Sequence, residues 1–553
     1  MTEDGIIVAF NLKGLIKLFG KYKEIFVYGC GEYGEAFYDI CVKLKCVDKI
    51  KSFVVSFDKS VTSPLFHEIP IITVGGLPNE GKEQLVFVAV GRKNRLEIEK
   101  FLVQKDVKNV AYMEDYIHQD DWENKDILGY CQNIADWYVS EHIDKLGDYK
   151  KVVQDLLCVA NERRKKIESK KIGFVISFIT ARIVRIVRSL QKKGYIVNIF
   201  CDGRRDAYTA EKELEETGIF IRKWRHEEEL YYYLLHEPIG FFWVDAVVGN
   251  GDNDVSVHLL LQHEYFGKII YAPYDIRHGS YSNIPTNMYK SERYSLEHAD
   301  GVIWRYLHNK EYLKEKFNII QGNLSIEFLD YADSVKLDVT KKKNDILRLC
   351  WVVSQASLAL PRIIKNKKYS HAAFVQDFLY LMRGRTDYIL DFYAWNMTDE
   401  ERNLFIDLKK IYSNFNFYVH VEHEDLIKKL RTYDYGICLY SGREVPEWPI
   451  NNEDGYCENA VYNATSNKYF DYISAGIPIV ASVPTSMCAL LKSYGILVDM
   501  TLEELDLDFL MQHREEYRRN VVKAQKELSI DNHIERLVRF LDEVSGVSTK
   551  DEK

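Results

Sequence analysis

The residues best suited to chemistry lie in one run, 466–482, which reads SNKYFDYISAGIPIVAS. Ser466 or Asn467 can cap a helix, and Lys468 adds a positive charge beside the free N–H groups of its first turn, which suits a phosphate. Asp471 follows on the same face, where a carboxylate can accept hydrogen bonds from two sugar hydroxyls. An Ala-Gly pair then ends the helix before a buried strand. The alternative is an ordinary helix, turn and strand that bind no ligand.

A glycine-rich motif lies near the N-terminus, where Gly29, Gly31 and Gly34 form a GxGxxG between a predicted strand and a predicted helix. Asp58 stands at the end of the next predicted strand. Together these residues fit a dinucleotide-binding fingerprint. The segment YGCGEYGEAFYD also resembles the small nucleotide-binding Rossmann domains attached to enzymes of bacterial surface-sugar assembly. The alternative is that these glycines serve only a tight turn and close packing.

A stripe of basic residues lies along the predicted helix 181–194, where Arg182, Arg185, Arg188 and Lys192 are spaced three or four apart. Such a stripe can meet anionic lipid headgroups or a phosphate-bearing acceptor. A solvated helix face is the favoured interpretation.

The run 466–482 resembles the donor-site signature of retaining, family 4-like glycosyltransferases with the GT-B fold. Further stretches fall in the order that this family shows. Glu292, in SERYSLEHADGVIWRY, is placed like the glutamate that opens the helix before an ADxVI strand. IIQGNLSIEF (319–328) resembles the linker into the second domain, and VEHEDLIKKLRTYDYGICLY (421–440) resembles the helix–strand pair before the donor site. The resemblance covers roughly residues 170 to 535.

The resemblance implies roles for individual donor-site residues. Asp471 would hold the ribose hydroxyls, although the family more often has Glu there, and Asn467 and Lys468 would lie near the diphosphate. Asn463 occupies the position of a family glutamate that contacts the donor sugar, and Glu458 lies nearby at a different spacing.

Candidates to neutralise the diphosphate are Arg362, Lys365 and Lys367, for each of which a solvated loop is an equal alternative.

The implied reaction transfers a sugar from a nucleoside diphosphate, so it needs charge stabilisation and positioning rather than covalent help. Asp275 and His278 follow the predicted strand KIIYAPYD and are the catalytic candidates, His278 to orient a sugar; a surface-turn histidine is the alternative. Residues 252–254 form a D-x-D triplet, which binds metal in a different glycosyltransferase architecture. A polar turn is the favoured interpretation, so no metal and no cofactor are predicted.

Strand-like apolar runs alternate with helical patterns in three blocks, which predicts an α/β protein of three doubly wound Rossmann-like units. The last two units would form a GT-B transferase with a cleft between them. The predicted divisions are a GxGxxG domain (1–115), a helical linker (116–168), an acceptor-side domain (169–335), a donor domain (343–545) and a flexible tail (546–553). The last predicted strand is IPIVASV (477–483).

Composition excludes several classes of protein. The 553 residues are 46% hydrophobic and 28% charged, as in soluble globular proteins, and the net charge of −9 disfavours a nucleic-acid binder. No secretion signal or membrane-spanning segment is predicted. The ten cysteines form no CxxC pair and are predicted to be buried free thiols in the cytoplasm.

Three functions remain open at this stage. The favoured one is a glycosyltransferase that moves a sugar from a nucleotide donor to a hydroxyl of a polysaccharide or glycolipid, with peripheral contact to the inner membrane surface as an option. The second is an NAD(P)- or nucleotide-sugar-dependent oxidoreductase centred on the first block, although no Tyr-x-x-x-Lys or Cys/His constellation follows its fingerprint. The third is a non-catalytic nucleotide-sugar binding protein.

Overall fold

The structure is a computed structural model. It describes residues 12–56, 64–78, 83–90, 98–99, 101–105, 107–113, 127–142, 148–163, 170–202, 211, 214, 217–225, 227–237, 239–246, 267–273, 276, 286–305, 309–319, 324–333, 345–355, 362–364, 367–369, 371–439, 467–481 and 486–546. The chain divides into two compact units. The first combines residues 1–167 with 224–238 and 262–266, and the second contains the remainder.

Helices and strands alternate along most of the described chain. The helices are α1 (Leu12–Lys21), α2 (Glu32–Lys43), α3 (Ile127–Glu141), α4 (Tyr149–Arg163), α5 (Ala181–Lys192), α6 (Glu227–His236), α7 (Thr286–His298), α8 (Asn309–Phe317), α9 (His371–Leu381), α10 (Asp399–Ile411), α11 (His423–Leu430), α12 (Asn467–Ala475), α13 (Ser486–Ser493), α14 (Leu507–Glu527) and α15 (Ile530–Ser545).

The strands are short, and many are buried apolar runs. They are β1 (Glu24–Tyr28), β2 (Ile50–Val55), β3 (Leu65–Phe66), β4 (Ile69–Thr73), β5 (Gln84–Val88), β6 (Val110–Tyr112), β7 (Lys171–Ile176), β8 (Ile196–Asp202), β9 (Phe220–Trp224), β10 (Phe241–Ala246), β11 (Lys268–Pro273), β12 (Gly301–Trp304), β13 (Leu324–Glu327), β14 (Leu347–Gln355), β15 (Arg362–Ile364), β16 (Lys367–Tyr369), β17 (Tyr388–Asn396), β18 (Phe415–Val419), β19 (Tyr435–Cys438), β20 (Ile479–Ala481) and β21 (Leu497–Asp499).

The first unit is built on a six-stranded sheet in the order β3-β4-β2-β1-β5-β6, in which only the β3–β4 pair is antiparallel. Helices α3, α4 and α6 pack together in the same unit. The region 116–168 was predicted to be helical, and its described part consists of α3, α4 and short flanking segments.

The second unit contains two further sheets, which we call the sheets of the first and second lobes. The first-lobe sheet runs β13-β12-β11-β10-β7-β8-β9, and the second-lobe sheet runs β18-β17-β14-β19-β20-β21. All pairs of the second-lobe sheet are parallel. Its order reverses between β14 and β19, and ligands of doubly wound folds bind at such a point, beyond the carboxyl ends of the strands. The predicted class of three doubly wound α/β units is therefore confirmed.

Some sequence-based expectations about elements are wrong. Strand β13 (Leu324–Glu327) lies within the stretch 319–328 that was expected to be a linker, and it pairs in parallel with β12. The strand at 477–483 does not close the last sheet, since β21 pairs with β20. Glu292 does not open its helix: α7 starts at Thr286, and Glu292 lies buried within it.

The chain passes between the two lobes at two places that lie side by side. We call residues 328–333, which follow β13, the crossing segment. Ala332 in it accepts a hydrogen bond from the N–H of Ile530 (2.9 Å) and donates one to the carbonyl of Leu528 (2.8 Å), at the junction of α14 and α15. Helix α15 then returns to the first lobe and packs on α5 and β13.

Candidate functional site

Helix α12 covers most of the predicted site motif and lies on the second-lobe sheet across β14 and β19. The hydroxyl of Tyr472 accepts a hydrogen bond from the N–H of Val352 in β14 (3.1 Å) and donates one to the carbonyl of Ile437 in β19 (3.2 Å). The N–H of Ile477 bonds back to the carbonyl of Tyr472, after which the chain enters β20. The helix is therefore fixed at the point where the strand order reverses.

Lys468 lies in the first turn of α12 and is partly buried. Among the described residues, no carboxylate lies within ion-pair distance of its ammonium group. Burial lowers the pKa of this lysine, and Cys438 at the carboxyl end of β19 and Asp471 oppose the shift. A largely dehydrated positive charge at the N-terminal end of a helix is a favourable place for an anion.

Asp471 lies one turn further along α12, and only 7% of its surface is exposed. Its Oδ1 accepts hydrogen bonds from Arg185 Nη2 of α5 and from His423 Nε2 of α11, the latter at 3.2 Å. Within the described part of the chain, no group donates to its Oδ2. The two oxygens of this carboxylate therefore differ: Oδ1 is held by two donors, and Oδ2 has none among the described residues.

The surroundings of Asp471 keep it ionised. Burial by itself would raise the pKa of its carboxyl, but the charges of Arg185 and His423 and their hydrogen bonds lower that pKa to about 2. Arg185 is also held from its other side, because its Nε donates to Asp333 (3.1 Å) and its Nη1 to the carbonyl of Tyr331 (3.2 Å).

We expect this ion pair to make stability depend on pH in the acid range. An unfolded aspartate has a pKa near 4, so the stabilisation is complete above about pH 4 and is lost as the pH falls toward 2. The shift corresponds to about 2–3 kcal/mol of stability. Urea unfolding of the parent protein and of Asp471→Asn between pH 6 and 3 measures it. The parent should lose more stability than the variant, and equal losses would contradict the assignment.

A series of hydrogen bonds and buried ion pairs connects the N-terminal end of α12 to the first lobe. Asn467 Oδ1 accepts a hydrogen bond from Arg305, which follows β12. Arg305 donates two further bonds of 2.9 Å to the carboxylate of Asp330, and Arg182 Nε lies 3.0 Å from the same carboxylate. Because Asp330 and both arginines are buried, this carboxylate offsets two dehydrated positive charges.

The interpretation of the arginine stripe on α5 is wrong for two of its members. Arg182 and Arg185 are 1% and 2% exposed, so they form neither a solvated face nor a surface for lipid headgroups. Their partners Asp330 and Asp333 lie in the crossing segment, which no helical periodicity links to α5. Lys192, near the end of the helix, is exposed and lies 3.9 Å from Asp531.

Several predicted site residues lie outside the described residues. This holds for both catalytic candidates, Asp275 and His278, for the sugar-contacting candidates, and for the D-x-D triplet. The full set is Ser466, Asn463, Glu458, Asp58, Lys365, Asp275, His278 and 252–254. The backbone of Arg362 lies in β15, which pairs with β16 in a separate antiparallel hairpin. The roles of these residues stay predictions.

The glycine motif of the first unit adopts the predicted strand–turn–helix arrangement. Gly29 follows β1 with a φ of 111°, and α2 starts directly after Gly31. A Cβ atom on Gly34 would lie 2.3 Å from the carbonyl oxygen of Gly29, so a side chain there is excluded. Close packing explains Gly34 fully. Nucleotide binding by Gly29, Gly31 and Gly34 stays a prediction.

Sequence reasoning missed four residues that complete the site: His423, Arg305, Asp330 and Asp333. His423 begins α11 in the run VEHEDLIKKL, which was matched only as part of a helix. Arg305 follows the apolar strand β12, and an arginine directly after a buried strand is a signal that could have been used. Nothing local marks the two aspartates: their partners in α5 lie more than 100 residues away along the chain, and Arg305, the other partner of Asp330, belongs to a separate element.

Nine of the ten cysteines are described, and all nine are free thiols, seven of them buried. Across the described ranges, no group of three or more His, Cys, Asp or Glu residues is arranged to hold a metal ion. None of the described helices combines the length and apolar character that a membrane crossing requires.

The chain matches no protein-family model and no curated protein. It resembles solved structures of glycosyltransferases only distantly. One is the lipopolysaccharide outer core galactosyltransferase WaaB (10% identity, TM-score 0.42), of which 99% aligns with 68% of this chain. Others are TarM (8%, TM-score 0.43, 99% of it on 68% of this chain) and MurG of Acinetobacter baumannii (12%, TM-score 0.36, 99% on 68%). With likeness this low, function has to be derived from the chain's own residues.

Proposed function

We propose that the second unit is a glycosyltransferase that binds a nucleotide sugar at the N-terminal end of α12. The observation that carries the proposal is the pair of Lys468 and Asp471 on that helix. Lys468 is a partly buried cation without a carboxylate partner among the described residues, and Asp471 is an ionised carboxylate whose Oδ2 has no donor among them. A diphosphate fits the first of these groups, and the paired hydroxyls of a ribose fit the second.

The position of the pair in the fold supports the same ligand. Burial raises the pKa of Cys438, which ends β19, to about 11, and the charge of Lys468 opposes that shift. Lys468 therefore lies near the carboxyl end of β19, beside the point where the strand order of the second lobe reverses. Nucleotides bind at this point in doubly wound folds.

The reaction follows from what such a site can stabilise. When the bond between sugar and diphosphate breaks, negative charge grows on the departing phosphate oxygens. Lys468 and the positive end of the α12 dipole would face that charge, so they would stabilise it more in the transition state than in the bound substrate. Asp471 would fix the nucleoside so that the scissile bond is held in one place.

The finer parts of the proposal rest on the sequence. Metal-independent transfer, retention of anomeric configuration and a glycan or lipid-linked acceptor are what the family resemblance implies, and action in the cytoplasm is what the cysteine usage predicts. Peripheral contact with the membrane has lost one of its supports, since Arg182 and Arg185 are buried. Nucleotide binding by the first unit would be a second, separate activity.

The experiment is a binding and turnover assay with the full chain. We expect uridine, guanosine, adenosine or cytidine diphosphate to bind, and the matching nucleotide sugars to be hydrolysed slowly without an acceptor. Lys468→Met should weaken nucleoside diphosphate binding about tenfold or more by calorimetry, because it removes a charge-assisted contact worth roughly 1.5–3 kcal/mol.

The matched control is Lys492→Met, which removes an exposed lysine of α13 in the same lobe that pairs with Asp499. This variant should bind like the parent. Absence of binding by every nucleotide would contradict the proposal, and so would equal affinities of the two variants. Tight binding without turnover of any donor, with candidate acceptors present, would instead favour a non-catalytic binding protein.

A further inference from the structure

We infer that Arg185 and His423 are positioning residues that hold Asp471 by one oxygen and keep the other turned toward the ribose of a bound nucleotide. The inference rests on the function proposed above. It separates Asp471, which would contact the ribose, from Arg185 and His423, which would orient Asp471. It concerns residues from two different lobes, neither of which is marked by the donor-site motif.

The geometry of Arg185 points to this role. Its guanidinium uses all three nitrogens: Nε for Asp333 at 3.1 Å, Nη1 for the carbonyl of Tyr331 at 3.2 Å, and Nη2 for Asp471. Two of the three acceptors belong to the crossing segment. These two contacts hold the guanidinium in place on the side away from Asp471. With 2% of its surface exposed, the arginine has little room to adopt another arrangement.

His423 contacts the same oxygen from the second lobe. Its Nε2 lies 3.2 Å from Oδ1 of Asp471, and it is itself buried at the start of α11. Two donors that converge on one oxygen define the plane and direction of the carboxylate. Among the residues that the structure describes, none donates to Oδ2, which is the atom a ribose hydroxyl would need.

The backbone around the pair is equally constrained. Ser474, one turn after Asp471, accepts a hydrogen bond from the N–H of Asp333 (2.9 Å) and donates one to the carbonyl of Phe470 (2.7 Å). Gln525 of α14 donates to the carbonyls of Ile473 and Ser474. Helix α12 and the crossing segment thus form one connected hydrogen-bonded body, and Arg185 links it to α5.

The test compares nucleotides that differ only at the ribose. For the parent protein, a nucleoside diphosphate should bind more tightly than its 2′,3′-dideoxy analogue, because only the former reaches Oδ2. In Arg185→Lys, which keeps the charge but cannot satisfy three acceptors, affinity for the natural nucleotide should fall about tenfold while affinity for the dideoxy analogue stays the same.

His423→Phe should show the same pattern, and this second variant provides the test if the arginine variant does not fold. Arg188→Lys, one turn further along α5, is the matched control and should retain the parent's preference.

Each outcome decides between two interpretations. A ribose-dependent loss in either variant supports the positioning role, since general damage to the fold would lower the affinities for both nucleotides alike. An equal loss for both nucleotides, or no loss in a folded variant, overturns it. If the parent binds nucleoside diphosphates without preferring the natural ribose, the inference fails and the proposed function stands. If the parent binds no nucleotide at all, both fail.

Discussion

Replacing Asp330 by alanine should lower the free energy of unfolding of the second unit by about 3–5 kcal/mol. The substitution removes the carboxylate that offsets two buried guanidinium groups, those of Arg182 and Arg305. Breaking a buried ion pair costs this much because the remaining charge can neither return to water nor find another partner. Here two charges are left, and Arg182 is further confined beneath the ring of Trp243, 5.5 Å from its centroid.

Urea or thermal unfolding measures the effect, and two variants define its origin. Asp407→Ala removes an exposed aspartate that pairs with Lys410 on the surface of α10 and should change stability by no more than about 0.5 kcal/mol. Asp330→Asn keeps the shape but not the charge and should fall between the two. If Asp330→Ala is no more destabilising than Asp407→Ala, the buried network does not have the role assigned to it.

The fold was largely predictable because buried parallel strands leave a strong pattern. Runs such as KIGFVISF and QLVFVAV are mostly apolar, and each forms a strand in the predicted place. Short strands were missed, as at Leu497–Asp499, because three residues carry too little pattern. The strand Leu324–Glu327 was missed because none of its four residues is buried and the surrounding sequence resembles a linker.

The site was predictable only where its residues share one helix. Asn467, Lys468 and Asp471 lie within five positions, so helical spacing alone places them together. The partners of Asp471 come from α5 and α11, which lie 286 and 48 residues away in sequence. Contacts of that kind are set by how the elements pack, and local spacing carries no information about them. For the same reason the arginines of α5 looked like a surface stripe.

The connection between the two lobes contains the carboxylates that hold the arginines of the proposed site. Asp330 and Asp333 flank the point where the crossing segment pairs with the α14–α15 junction. The arginines that hold them also contact Asn467 and Asp471, the two ends of the proposed nucleotide site. A change in how the lobes meet would therefore alter the site directly, without any intermediate element.

Gly436→Ala tests the packing of α12 on the second-lobe sheet. It should lower the free energy of unfolding of the second unit by about 2–3 kcal/mol, because it overpacks a dense core. A Cβ atom at this position of β19 would lie 2.5 Å from ring carbons of Tyr472. The ring cannot move aside cheaply, because its hydroxyl is bonded to both Val352 and Ile437 and the residue is fully buried. The helix must then shift, which carries Lys468 and Asp471 away from the carboxyl end of β19.

Two measurements on this variant should therefore change together: the midpoint of thermal unfolding falls, and nucleoside diphosphate affinity falls with it even well below that midpoint. Gly20→Ala is the control, since a Cβ on this helical glycine of the first unit meets nothing within 4 Å and alanine favours the helix. Normal nucleotide affinity in a destabilised Gly436→Ala protein would contradict this prediction. The groups of α12 would then bind the nucleotide regardless of where the helix lies on the sheet.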